Sequence, residues 1–209
     1  MKIIDFPQSS QEWLNARAGK VTASRIVDVM AKIKTGEAAS RRDYKAQIVA
    51  EILTGKPQEN GFINADMTFG IEQEPFARAA YEAQDGVMVD QVGLVIHPSI
   101  ERAAASPDGL VGDTGLVEIK CPKVATHLTY LLDGVAPSKY HGQMLWQMAC
   151  CEREWCDFVS FRPDLTPGLQ LFKIRLMRDD ERIKAMEAEV IAFLSEVDKM
   201  VEQLLQRKA

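Results

Sequence analysis

Cysteine, histidine and long apolar runs are all scarce in this chain. Its four cysteines (Cys121, Cys150, Cys151, Cys156) and three histidines (His97, His127, His141) form no C-x-x-C pair and no zinc-ligand spacing. That argues against a zinc finger or a dithiol redox motif and leaves reduced, mostly buried thiols as the expectation. No apolar stretch approaches the roughly 20 residues that a membrane span requires. The opening MKIIDFPQSS lacks the basic flank, long apolar run and small-residue cleavage site of a secretory leader, so a cytoplasmic protein without membrane partners is expected. Internal repeats and low-complexity linkers are missing too. The 209 residues therefore read as one domain, 1–209, able to bury a core of its own.

A basic surplus is also lacking. The net charge of −5 argues weakly against a nucleic-acid partner, because such domains usually carry an overt positive excess. The charge is unevenly placed, however. Residues 17–59 hold nine Lys/Arg against five acids, whereas residues 179–209 hold eight acids against five bases. A basic front and an acidic tail leave room for one positive face.

What is present is a change of texture along the chain. In the first part, Trp13, Leu14, Val21, Ile26, Val29 and Met30 recur at helical spacing around Gly19, with Thr22 and Ser24 as candidate caps. Ser40 and Asp43 resemble a capping box for a helix through Tyr44, Ile48, Ile52 and Leu53, closed by Gly55. A further helix is expected to begin between Glu72 and Pro75 and to run through Phe76, Ala79, Ala80 and Tyr81. After Gly86, five segments rich in Val, Ile and Phe, punctuated by Gly, Pro and Asp, read as strands. A helix over about 139–151 interrupts them. The order predicts a mixed sheet flanked by helices, in the α/β or α+β class. In the last segment Ile183, Val190, Val197 and Leu204 recur every seven residues, with Met186, Phe193 and Met200 between them. This apolar stripe on one long helix suits packing on its own domain, with a subunit contact as the alternative.

The chemistry concentrates in Ser106-Pro107-Asp108-Gly109 and Leu116-Val117-Glu118-Ile119-Lys120. By itself the first is a turn and the second a half-exposed strand. Joined by a hairpin with turn points at Gly109, Gly112 and Gly115, they bring Asp108 beside Glu118. Two converging carboxylates repel, and such a pair usually holds a cation. Oxygen-only ligands select Mg²⁺ or Mn²⁺ over zinc. Lys120 projects from the same face as Glu118, where it can orient or deprotonate a water and offset charge at a phosphorus.

The complete P-D…E-x-K pattern resembles the PD-(D/E)xK nuclease superfamily. Flanking motifs narrow the resemblance. Trp13-Leu14…Arg17-Ala18-Gly19…Val21-Thr22-Ala23-Ser24, Phe69-Gly70…Glu74…Ala77-Arg78, Glu118-Ile119-Lys120-Cys121-Pro122 and Tyr140-His141-Gly142-Gln143 occur in the order found in phage lambda-type recombination exonucleases, the YqaJ-like viral recombinases. The resemblance runs from about residue 13 to about residue 161. It implies an α/β, restriction-endonuclease-like core: a central mixed sheet flanked by helices, and a long C-terminal helix. It further implies a magnesium-dependent 5′→3′ exonuclease on linear double-stranded DNA, acting in recombination by strand annealing. Asp108, Glu118 and the Ile119 carbonyl would bind metal, Glu74 would reach a second ion, and Lys120 would handle the attacking water. Arg17, Ser24, Ser106 and Gln143 match positions that hold the terminal 5′-phosphate, and Tyr140 is a weaker candidate for the same pocket. Met67 matches an apolar wedge and Lys34 a basic contact to the duplex. The expected partners are DNA ends, two further copies of the chain in a homotrimeric ring, and a single-strand annealing protein in a bacterial or prophage setting. Structural readings stand beside these: Ser24 as a cap, Gln143 and Tyr140 as ordinary helix residues, Met67 as core, Arg17 in a carboxylate pair. The rival functions are a PD-(D/E)xK endonuclease and a non-catalytic DNA-end-binding protein.

Overall fold

The structure is a computed structural model that describes residues 1–58 and 64–207. In chain order it comprises β1 (Lys2–Ile4), α1 (Gln11–Arg17), β2 (Val21–Thr22), a 3-10 turn (Ala23–Arg25), α2 (Ile26–Val29), α3 (Ala39–Thr54), α4 (Ala65–Asp85), β3 (Val89–Asp90), β4 (Leu94–Ile96), β5 (Ala103–Ala105), β6 (Gly109–Val111), β7 (Gly115–Lys120), α5 (Val124–Asp133), α6 (Ser138–Cys151), β8 (Trp155–Phe161), β9 (Leu171–Met177) and α7 (Asp180–Gln206).

Two sheets result. The larger has the order β3-β6-β7-β8-β9; β7 and β8 run parallel and the other pairs antiparallel. The smaller has the order β1-β4-β5-β2. The expected mixed sheet flanked by helices is thus present, and a second, short-stranded sheet accompanies it.

Strand β7 is central and covered on both faces. Leu116 and Phe158 join the core formed with Met144, Leu145 and Met148 of α6, while Val117 and Ile119 pack with Ala77 and Tyr81 of α4. The expected half-exposed strand is therefore corrected: Glu118 is fully buried. Close packing explains Gly109 as well, since a Cβ there would stand 2.1 Å from Val89 Cγ1. Gly112 turns the hairpin with φ of 52°.

The stripe on α7 lies against its own domain. Ile183, Met186, Val190, Phe193 and Val197 are buried with Tyr44 and Ile48 of α3. Each such side chain stabilises the fold by about 1.5–3 kcal/mol through burial. Asp179 starts the helix by accepting from the Arg182 amide at 3.0 Å.

Several local expectations fail. Val21 belongs to a strand paired with Ala103, not to a helix. Thr22 precedes the 3-10 turn without a side-chain capping bond, and Ser24 lies inside that turn. Helix α3 begins one residue before Ser40, with Ala38 at its cap position, so no capping box forms. Gly55 does close it, in the left-handed conformation. Helix α4 begins at Ala65, capped by Asn64, and continues through Pro75. Proline's missing N–H costs one bond to the Ile71 carbonyl, and the buried face of Ala77 and Tyr81 outweighs that loss. Helix α5 was not expected at all. The four cysteines are free, three of them buried, and no described helix is long and apolar enough to cross a membrane.

Candidate active site

The hairpin register sets the carboxylates together. Gly109 pairs with Val117, so Asp108 falls opposite Glu118 one step further along the antiparallel ladder. Asp108 Oδ2 accepts from the Ile119 amide at 2.6 Å. Glu118 is held from α6: Gln143 Nε2 donates to Oε1 at 2.7 Å and Gln147 Nε2 donates to Oε2 at 2.6 Å. Lys120 forms an ion pair with Glu118, and its ammonium lies 5.5 Å from the Tyr140 ring centroid.

These contacts set the charge states. Burial, followed by the neighbouring charge of Glu118, pushes the Asp108 carboxyl well above the ordinary range for aspartate. For Lys120, burial favours the neutral amine, but the charges of Glu118 and Asp108 outweigh it and hold the ammonium protonated. Paired with Glu118 in this way, Lys120 presents a donor and a positive charge. Cys121 borders the same cavity, and burial pushes its thiol up to about 12, which removes it as a nucleophile.

Asp108 and Glu118 offer only hard oxygen ligands, and burial, followed by the neighbouring charge of Glu118, disfavours the Asp108 carboxylate in the absence of further positive charge. A divalent cation fits that donor set. Among the described residues, no three His, Cys, Asp or Glu side chains form a group that could hold an ion. Glu74 faces the same cavity, yet its carboxylate pairs with Arg78 at 2.7 Å. Backbone carbonyls and water could complete the coordination of a hard cation beside the two carboxylates.

Two concavities border residues that contact Glu118, one through Gln143 and the other through Lys120. One, of about 160 Å³, is lined by Gln8, Trp13, Arg17, Thr22, Ala23, Ser24, Ser106 and Gln143. The four residues expected to hold a phosphate are all among them. The Arg17 guanidinium lies 3.9 Å from the Trp13 ring centroid, and Trp13 Nε1 donates to Ser106 Oγ at 2.9 Å. Gln143 borders this pocket while its amide is engaged with Glu118, so it links the two sites. The other cavity, of about 920 Å³, is lined by residues including Met67, Glu74, Ile119, Lys120, Lys139 and Tyr140. Met67 is exposed there, not core. Tyr140 faces this larger cavity instead of the phosphate pocket and stacks on Phe158, with centroids 5.4 Å apart. Lys34 is exposed in the loop before α3 and borders neither concavity.

Sequence reasoning missed Gln147 and Gln8. Gln147 carries a readable signal, because it lies four residues after Gln143 on one helix face. Gln8 has none: it reaches the Pro107 carbonyl, 2.9 Å away, only through the tertiary fold.

A fold and site of this kind define a nuclease. The chain belongs to the YqaJ-like viral recombinase domain family, whose sequence model matches residues 12–154. It is 48% identical to the alkaline exonuclease LHK-Exo of Laribacter hongkongensis, over 95% of this chain and 98% of that one, with a TM-score of 0.88. LHK-Exo in complex with dAMP aligns equally well, at 47% identity and a TM-score of 0.88. A phage-related exonuclease from Haemophilus somnus 129PT shares the fold at 15% identity and a TM-score of 0.66, over 91% of this chain and 96% of that one. The uncharacterized protein R354 of Acanthamoeba polyphaga mimivirus is 31% identical over 180 residues, 78% of this chain. This chain spans about 30% of that relative's length.

Proposed function

We propose that this protein is a Mg²⁺-dependent 5′→3′ exonuclease that releases 5′-mononucleotides from linear double-stranded DNA and leaves a 3′ single strand. The observation that carries this reading is the adjacency of two features. A buried Asp108–Glu118 pair, with Lys120 ion-paired to Glu118, adjoins through Gln143 a small pocket lined by Arg17, Ser24 and Ser106. The similar alkaline exonuclease supports it.

In this reading Asp108, Glu118 and the Ile119 carbonyl hold the ion, and Glu74 is the additional ligand for a second one. Bound Mg²⁺, or Mn²⁺ in its place, lowers the pKa of a water and offsets charge at phosphorus. Lys120, as an ammonium, donates to the attacking water and to a phosphate oxygen, while Gln143 and Gln147 keep the Glu118 carboxylate oriented. Arg17, Ser24 and Ser106 donate to the terminal 5′-phosphate, which carries more charge than a diester and gains more from a guanidinium. Water attacks phosphorus, the bond from phosphorus to O3′ of the first nucleotide breaks with its electron pair passing to O3′, and the proton that the water loses is balanced by the one that O3′ takes up from solvent. The shortened strand then ends in a new 5′-phosphate that can enter the same pocket. Met67, exposed at the start of α4, is the proposed wedge between terminal bases, and Lys34 the proposed outer contact to the duplex.

The chain is proposed to act as one nuclease domain, in a homotrimeric ring around DNA, in the cytoplasm and beside a single-strand annealing protein. A ring reconciles the net acidity with the substrate, because only its channel needs to be basic. A stable monomer by light scattering at micromolar concentration would remove the ring.

The decisive assay incubates linear duplex, with and without 5′-phosphates, and closed circular duplex, each with Mg²⁺ and with EDTA. Release of mononucleotides from linear DNA with Mg²⁺ supports the reading. Cleavage of the closed circle would favour an endonuclease, and binding of ends without any cleavage would favour an end-binding protein.

A further inference from the structure

Beyond Lys120 the large cavity adjoins another of about 720 Å³, and the two share Thr126, Tyr130 and Lys139. The amino end of α6 opens here through Ala136, Pro137 and Ser138. Pro137 occupies the cap position and supplies no side-chain acceptor; the Tyr140 amide donates to the Pro137 carbonyl at 2.9 Å, which leaves the Ser138 and Lys139 amides at the start of this 14-residue helix with their partial positive charge. Tyr130 is 6% exposed, and its buried hydroxyl faces the Lys139 ammonium and the Tyr140 hydroxyl, with no other polar partner among the described residues. Lys139 stands beside it, its ammonium 5.9 Å from the Tyr130 ring centroid and 4.8 Å from that of Tyr140. Lys120 approaches the same Tyr140 ring at 5.5 Å.

The other cations of this region are committed. Lys120 pairs with Glu118, Lys123 with Asp66 at 3.0 Å, and Arg162 with Asp164 at 2.8 Å. Lys139 makes no ion pair among the described residues, although Asp133 also borders the outer cavity. A buried donor, an exposed ammonium and open helix amides converging on one space suit an anion.

We propose that Lys139, the Tyr130 hydroxyl and the open start of α6 hold a backbone phosphodiester of the bound strand, on the 3′ side of the scissile bond. The inference rests on the exonuclease reading, which puts the 5′ end in the Arg17 pocket. Gln143 lines that pocket and Lys120 lines the large cavity, and both contact the same Glu118 oxygen. In that reading, a strand whose 5′ end sits in the first extends past Lys120 into the second, where Lys139 approaches the Tyr140 ring that Lys120 also approaches. Its grip keeps the shortened strand in place after each cut, until the new 5′-phosphate advances.

The test measures binding of a 5′-phosphorylated duplex in EDTA, across a salt series, by fluorescence anisotropy. The proteins are wild type, Lys139→Ala and Tyr130→Phe. A matched set of duplexes carries one uncharged methylphosphonate at successive linkages of the strand to be digested. Lys139→Ala should lower the slope of log K against log[salt] by about one. A methylphosphonate beyond the first linkage should weaken wild type and have no additional effect on Lys139→Ala. Tyr130→Phe should weaken binding of the unmodified duplex and keep the wild-type slope. A wild-type slope and linkage profile in Lys139→Ala would overturn the subsite. Wild-type affinity in Tyr130→Phe would overturn the hydroxyl's part in it. Failure of the wild-type protein to digest linear duplex with Mg²⁺ would instead overturn the exonuclease reading, so the two failures are told apart.

Discussion

Gln147 and Glu118 are both fully buried, and the Gln147 amide donates to Glu118 Oε2 at 2.6 Å. A carboxylate placed inside a protein keeps its charge only where donors replace water. Gln147 supplies one of these donors from the interior side and Gln143 another from the pocket side. Gln147→Leu, similar in shape but without the donor, should cost about 1.5–3 kcal/mol of stability. It should also lower activity or metal affinity about 10–100-fold, as loss of a partner that orients a ligand does. Urea unfolding and steady-state rates check this; wild-type values for both would show that Gln147 has no such role.

Lys120→Ala removes the ammonium and leaves the carboxylates in place. Cleavage of linear duplex should fall below detection, while binding of a phosphorylated end in EDTA stays within a few-fold of wild type. Asp108→Ala should in addition lose metal, read by isothermal titration with Mn²⁺. Digestion by Lys120→Ala at the wild-type rate would refute the role given to the P-D…E-x-K motif.

Arg17→Ala should slow the first cut on a 5′-phosphorylated end by 10-fold or more, since a charge-assisted contact contributes about 1.5–3 kcal/mol. A 5′-hydroxyl end should be affected much less at that first cut. Initial cleavage is the quantity to measure, because every later step presents a phosphate. Equal losses on both ends would assign Arg17 to packing on Trp13, whose ring it already covers.

Acid should loosen the contact between α3 and α7. Glu196 bonds Arg41 at 2.8 Å through both oxygens and also meets Lys45 at 2.8 Å. The Arg41 hydrogen bonds, ahead of the smaller contribution from Lys45, hold its carboxyl down to about 2, against an ordinary 4.5. A carboxyl depressed in the folded state adds stability above its unfolded pKa and loses it as pH falls from about 4.5 to about 2. The side chain is 40% exposed, so solvent screening keeps the gain under about 1 kcal/mol. Glu196→Gln should thus be slightly less stable than wild type at pH 7, and the difference should vanish near pH 2. A difference that persists undiminished at pH 2 would assign the effect to packing.

Local chemistry determined much of this protein from its sequence. Alternation put Glu118 and Lys120 on one strand face, the turn residues put Asp108 across from them, and a seven-residue period put Ile183, Val190 and Val197 on the buried side of α7. These patterns are legible because backbone periodicity and turn geometry act between near neighbours. Only the tertiary structure decided the rest. Val21 is a strand because Ala103, far along the chain, supplies its partner, and a strand of two residues has no stability of its own. Glu118 is buried because α4 and α6 cover both faces of β7, and Glu74 turns to Arg78 one helical turn away. The pocket of Arg17, Ser24, Ser106 and Gln143 gathers side chains from four separate segments. Its existence depends on how those segments pack, and the energy of that packing lies in contacts between distant residues, beyond the reach of any local pattern.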